Sequence, residues 1–240
     1  GTDNFKHYSV LANIKLMDNF YLRFNADKND QDGFRENVFL NKKNTNNKDE
    51  TFFRLKLKIE PSKKLSINST IMISDMNNGY DAWAPDNNDN YITYSDQPGK
   101  DSHNLEAFST KLEYDNINWN LLGVLSKSSS TIIHSYDSDW GNNAFWNDTT
   151  TYGFDPYYYG YYFPYRFFDK TLRIRETLTG EFRINLKDNI FGIYTKKLNE
   201  KDKAEGYLFG GNAVDGTSDY DINVAAIYAQ TSLRLSKKLF

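Results

Sequence analysis

The chain has 240 residues, a formal net charge of -3 and no cysteine. This excludes disulfide scaffolds and thiolate metal sites and argues against a nucleic-acid partner. Aromatic residues make up 16% of a composition only 39% hydrophobic, with 18 Tyr and 17 Phe. Mean hydropathy is -0.73. No apolar run is long enough for a transmembrane helix, and no signal-peptide pattern opens at Gly1. Alternating membrane β-strands remain compatible with so low a hydropathy, because half of their side chains are polar.

Period-2 alternation then recurs in pairs of segments joined by short polar turns. Tyr8, Val10, Ala12, Ile14 and Leu16 share one face. Asp18 and Asn19 turn the chain into Phe20, Leu22, Phe24 and Ala26. Phe53, Leu55, Leu57 and Ile59 alternate with Arg54, Lys56, Lys58 and Glu60, and a turn over Pro61 to Lys64 leads into Leu65, Ile67, Ile71 and Ile73. Phe108 to Tyr114 pass through Asp115 and Asn116 into Ile117 to Leu125. Leu172 to Ile184 pass through Lys187, Asp188 and Asn189 into Ile190 to Leu198. A ninth strand carries Ala225 to Leu235, and Ser236 to Lys238 open a further turn.

These turns lie on one side. The other side receives four long polar segments, near 28–50, 75–104, 127–169 and 199–222. The pattern predicts an all-β, antiparallel transmembrane β-barrel wall of nine to ten strands, a single partial domain over 1–240, with short periplasmic turns and long external loops. A soluble β-sandwich also alternates, but one-sided loops of this length are uncommon in compact domains. Bacterial single-chain barrels have even strand numbers. The polar series Arg234, Ser236, Lys238 before Phe240, and the echo of Ser62-Lys63-Lys64-Leu65 in Ser236-Lys237-Lys238-Leu239, lead us to expect a piece of a larger barrel.

The stretches Asp32-Gly33-Phe34-Arg35-Glu36-Asn37, Asn78 to Trp83, Tyr94 to Ser102 and Tyr136 to Trp140, followed by Arg173 to Arg183, resemble the barrel region of TonB-dependent outer-membrane receptors. The resemblance implies a 22-stranded barrel in the outer membrane of a Gram-negative bacterium, with a plug and a TonB box that this chain lacks. It further implies energised uptake of a scarce nutrient, such as an iron-siderophore, a cobalamin-like cofactor or an oligosaccharide. The implied partners are a small-molecule ligand (a metal chelate or glycan), outer-membrane lipid, and the TonB complex through parts outside the chain. Neither enzymatic activity nor a cofactor is expected, since no phosphate loop, nucleophile elbow, metal triad or paired-carboxylate frame occurs. A passive porin-type channel and a soluble carbohydrate-binding sandwich are the alternatives.

Candidate ligand contacts are the loop tryptophans Trp83 and Trp140 and the tyrosines Tyr157, Tyr158, Tyr159, Tyr161 and Tyr162 of a segment spanning Tyr152 to Phe168. An aromatic ring with a polar tip suits a sugar or flat chelate. The same rings could instead pack on one another or join an interfacial girdle, the role we expect of Trp119. Arg54, Lys56, Lys58, Arg173, Arg175 and Arg183 are expected to face the lumen, pairing with plug carboxylates, attracting an anionic substrate, or simply solvated and paired across strands with Glu60, Glu113 or Glu181. Asp75, Asp81, Asp86 and Asp89 offer oxygen ligands in no calcium-loop spacing, and His7, His103 and His134 form no ligand motif. Glu176 breaks an apolar face, so it is expected at or above the external interface.

Overall fold

A computed structural model describes residues 1–148, 157–158, 161–162, 166–208, 211–212 and 216–232. The strands are β1 (Lys6–Met17), β2 (Phe20–Gln31), β3 (Glu36–Asn37), β4 (Lys48–Ser62), β5 (Leu65–Tyr80), β6 (Ile92–Thr93), β7 (Gly99–Asp115) and β8 (Trp119–Asp137). A one-turn helix, α1 (Asn143–Trp146), follows. Then come β9 (Tyr157–Tyr158), β10 (Tyr161–Tyr162), β11 (Phe168–Leu186), β12 (Asn189–Leu208), β13 (Gly211–Asn212) and β14 (Gly216–Thr231). The nine long strands form one sheet in the order β1-β2-β4-β5-β7-β8-β11-β12-β14, every neighbour antiparallel. It is a single wall. No second sheet lies across it among the described residues, so the sandwich alternative fails for want of an opposing layer.

The tight turns follow from residues that tolerate a left-handed backbone. Asn19 has φ 67° between β1 and β2, and Lys187 has φ 52° between β11 and β12. Two details differ from the alternation. Pro61 sits within the end of β4, at a register irregularity between Ile59 and Ser62. The missing donor is harmless there, because the pairing is already interrupted. Ile117 tips the next turn and is 92% exposed, so β8 starts at Trp119.

The strands outrun the alternation at their other ends. β12 continues to Leu208 and β8 to Asp137, which leaves connections of 32–47, 81–98, 138–167 and 209–215. Backbone pairing continues through polar sequence, with ladder hydrogen bonds and cross-strand charges replacing apolar burial.

Burial is inverted relative to a water-soluble fold. Among the described residues Leu198 is the single buried large hydrophobic side chain, whereas Phe182, Ile193, Leu178, Phe108 and Ile73 are all between 42% and 54% exposed on one face. The pairing register aligns them into a continuous band. Its upper limit descends stepwise across the wall, from Tyr8 in β1 to Ile73 in β5, Phe108 in β7 and Leu125 in β8. That is a descent of roughly 20 Å along the strands over roughly 24 Å of sheet, which corresponds to strands tilted by roughly 40° from the normal to a level apolar layer. Such tilt is characteristic of membrane barrels. Glu176 lies exposed on this face, level with Ser129 and Glu106, with Leu178 below it and Ile174 above it in β11.

The opposite face is polar. Lys58 pairs with Glu60 at 2.8 Å and Lys111 with Glu113 at 2.9 Å. Arg173 makes a bidentate contact with Asp202 at 2.7 and 3.0 Å, and Arg175 pairs with Glu200, which also accepts from the Tyr220 hydroxyl. Glu181 accepts from Tyr228. Tyr114 and Trp119 stack at 5.3 Å beside their turn, where a lower aromatic girdle belongs.

Candidate functional site

The described parts of the first three long connections are tied together by a buried polar network. β3 and β6, from the connections before β4 and before β7, pair in parallel. Asn37 donates through Nδ2 to Asp81 Oδ2 at 2.9 Å and to the Ser95 carbonyl at 2.8 Å. Thr93 Oγ1 donates to the same Asp81 oxygen at 2.8 Å. Ser95 Oγ donates to Asp137 Oδ2 at 2.6 Å, and Asp137 Oδ1 accepts from the Asp139 amide at 3.2 Å. Asp139 in turn accepts from the Gly141 amide, the Phe167 amide and the Trp146 indole. Asn142 caps α1 through the Phe145 amide and donates to the Tyr94 carbonyl. Asn37, Thr93 and Ser95 are at most 1% exposed. Buried polar groups satisfied this fully act as specific ties, so three long connections are joined into one cap.

The cap confines carboxylates. Burial drives the Asp137 carboxyl up to about 7; the Ser95 hydroxyl opposes the rise, and the charges of Asp139 and Asp96 add to it. Asp96 is also raised, by burial and by Asp139, with Arg166 opposing. Asp86 lies the other way: despite its burial, hydrogen bonds from Asn88 and Tyr94 hold it below the ordinary carboxylate value. Among the described residues no group of three or more acidic or histidine ligands converges as a metal site would.

On this cap rests an aromatic ledge. Trp83 and Trp140 stack with centroids 5.9 Å apart at 28°, and remain 56% and 40% exposed. Trp83 Nε1 donates to the Tyr80 hydroxyl at 3.3 Å. Tyr80 meets His134 edge-on at 4.8 Å and Tyr136 at 6.4 Å, so aromatic rings run from the loop tip down to the polar face. His134 Nδ1 stands 3.8 Å from Asp101. Trp140 has φ 58°. A bulky residue in this region costs about 1–2 kcal/mol, and such strain concentrates at working sites. Hydrogen bonds either side, Gly141 N to Asp139 and Asp96 N to Gly141 O, hold it there.

The structure thus brings together Trp83 and Trp140, which stand 57 positions apart in the sequence. Tyr157 and Tyr158 pair with Tyr162 and Tyr161 as a small hairpin separate from the main sheet. Tyr159 and most of the segment from Tyr152 lie outside the described residues, as does the chain from Leu233 onward. Sequence reasoning missed Tyr80, His134 and Tyr136 as site residues. Their signal was the strand parity that puts His134 and Tyr136 on the polar face.

Lower on that face, a concavity of about 870 Å³ is lined by Asn13, Arg23, Lys56, Lys111 and neighbours. Arg23, Arg54 and Lys56 meet no carboxylate within ion-pair distance among the described residues, whereas Lys58 and Lys111 do. Among the described residues Arg54 and Lys56 form no such pair, since they stand higher in the strand register than Glu60 and Glu113.

No family model and no curated protein matches the chain. Among solved structures it is similar to the ferric yersiniabactin uptake receptor FyuA from Yersinia pestis, at a TM-score of 0.72 and 10% identity, over 95% of this chain. A weaker likeness is to the outer membrane transporter YddB from Escherichia coli, at a TM-score of 0.47 and 9% identity over 93% of the chain. The chain spans 34% of the FyuA chain and 31% of the YddB chain. The likeness to FyuA establishes the fold, an antiparallel wall of the kind that builds a large β-barrel.

Proposed function

We propose that this chain is part of the wall of an outer-membrane receptor that takes up a small ligand at the expense of energy, as the uptake activity named for FyuA suggests. The observation that carries the reading is the combination of an outward apolar band, a charged opposite face and elaborated connections at one end only. The cap and its aromatic ledge receive the ligand, and the polar face borders its path inward. The chain has no cysteine, so single cysteines introduced into it report topology in a full-length receptor whose other cysteines, where present, are replaced. A cysteine at Asn88 reacts with a membrane-impermeant maleimide on intact cells, and one at Lys63 or Asp188 reacts only after the outer membrane is opened. Equal labelling at both ends refutes the arrangement. Energised uptake also stops when the proton gradient is collapsed, whereas a passive channel continues to admit its solute.

A further inference from the structure

The ledge formed by Trp83 and Trp140 carries a statement about which ligand the cap receives, and it rests on the uptake reading above. Between β5 and β7 the charged side chains are Asp81, Asp86, Asp89 and Asp96, with no lysine or arginine; from 138 to 148 they are Asp139 and Asp148, again with no cation. Asp86 is held in its charged form by its hydrogen bonds from Asn88 and Tyr94. A ligand bearing carboxylates or phosphates meets repulsion from these carboxylates, against which Arg166, the guanidinium that opposes the rise at Asp96, is the one cation of the two connections, a cost that like-charge juxtaposition imposes on any wrong partner.

The ring geometry separates the remaining classes. A cation is best held by aromatic faces that converge around it. Trp83 and Trp140 instead stack on one another at 28° and 5.9 Å, so each is left with its outer face to offer and the pair is not a cage. A flat apolar face on an acidic connection suits a ring with one apolar face and hydroxyls around its edge: the carbon-bound hydrogens lie on the exposed indole face, and neutral hydroxyls meet no repulsion from the carboxylates of the connection. The platform is also set in advance. Trp140 is fixed in a left-handed conformation and the cap beneath is tied by buried hydrogen bonds, so little ordering accompanies binding.

We infer that the Trp83–Trp140 ledge is a stacking subsite for an uncharged sugar ring, and that its acidic surround discriminates against anionic ligands. Cap and ledge together form a glycan-reading surface at the mouth of the barrel.

The test uses the full-length receptor in detergent on an array of immobilised neutral oligosaccharides and their uronate- or sialate-bearing counterparts, with ferric citrate as a soluble anionic chelate. Neutral glycans are retained, and acidic counterparts bind at least tenfold more weakly. Trp83→Ala and Trp140→Ala each lose roughly tenfold in affinity, the scale of one aromatic contact, and Trp83→Phe recovers part of it. The double change Asp86→Asn with Asp96→Asn narrows the preference for neutral over acidic glycans. Trp83 is more than half exposed, so its replacement leaves the barrel folded, which resistance to unfolding in cold detergent confirms. Preferential retention of ferric citrate or acidic glycans overturns the inference. So does retention of no glycan by a receptor whose cysteines label with the proposed topology, and that result leaves the uptake reading standing. Failure of the labelling pattern sinks the uptake reading separately.

Discussion

Replacing Asp137 with asparagine removes a carboxyl whose ionisation opposes closure of the external cap. A solvated aspartate ionises near 3.8, and in the closed cap Asp137 does so at about 7. Closing the cap therefore takes up a proton throughout that window, and stability is full below about 4, falls as pH rises toward 7, and is level above it. Three pH units at about 1.36 kcal/mol each give a total on the order of 4 kcal/mol, of which about 2.7 kcal/mol, or roughly a hundredfold in the opening equilibrium, falls between pH 5 and pH 7. Asp96, raised by burial and by Asp139, pulls in the same direction. The asparagine keeps an acceptor for the Asp139 amide, and the Ser95 hydroxyl can reverse to accept from the new amide. Amide hydrogen exchange across 81–98 and 138–148 in the full-length receptor, corrected for intrinsic rates, measures the effect. The wild type opens far more often at pH 8 than at pH 5, and Asp137→Asn loses most of that difference. A pH-independent wild type, or a variant that retains the full slope, refutes the reasoning.

Trp140→Gly relieves a left-handed backbone and stabilises the cap by about 1 kcal/mol while weakening ligand capture; exchange protection and binding then move in opposite directions. Gly33 has φ 93°, and a Cβ there would stand 2.4 Å from the Asn46 carbonyl oxygen, so Gly33→Ala loosens the 32–47 connection by about 2 kcal/mol or more. Faster protease cleavage in that segment, with the barrel intact, is the readout. Phe182→Lys places a charge within the apolar band and destabilises the inserted barrel by about 2–4 kcal/mol, whereas Thr179→Lys on the polar face leaves it nearly unchanged. Refolding yield into lipid vesicles compares the two, and equal yields would contradict the assignment of faces.

The strands were legible wherever one face is apolar. Phe53 to Ile59 and Phe182 to Ile184 announce themselves because each apolar residue is followed by a polar one. Above the band that contrast disappears. The upper half of β12 alternates Glu200 and Asp202 with Lys201 and Lys203, polar on both faces, so apolar periodicity stopped at Leu198 while the backbone ladder continued to Leu208. Tight turns were readable where Asn19 and its neighbours supply the backbone freedom. Pro61 was misplaced by two residues because a register irregularity accommodates it inside the strand. For the site, single tryptophans could be picked out as unusual. Their stacking could not, because it depends on Asp81, Ser95, Asp137 and Asp139 joining connections that are far apart along the chain.

The ties through Asn37, Asp81, Ser95 and Asp137 have a consequence for anyone who would redesign the mouth. Asn37 binds the second connection, the second binds Asp137 at the foot of the third, and β3 is paired to β6. Grafting any one of them onto another barrel severs bonds whose buried partners then stand unsatisfied. The three behave as one transplantable cassette, so recognition on this wall is inherited, exchanged or engineered as a block.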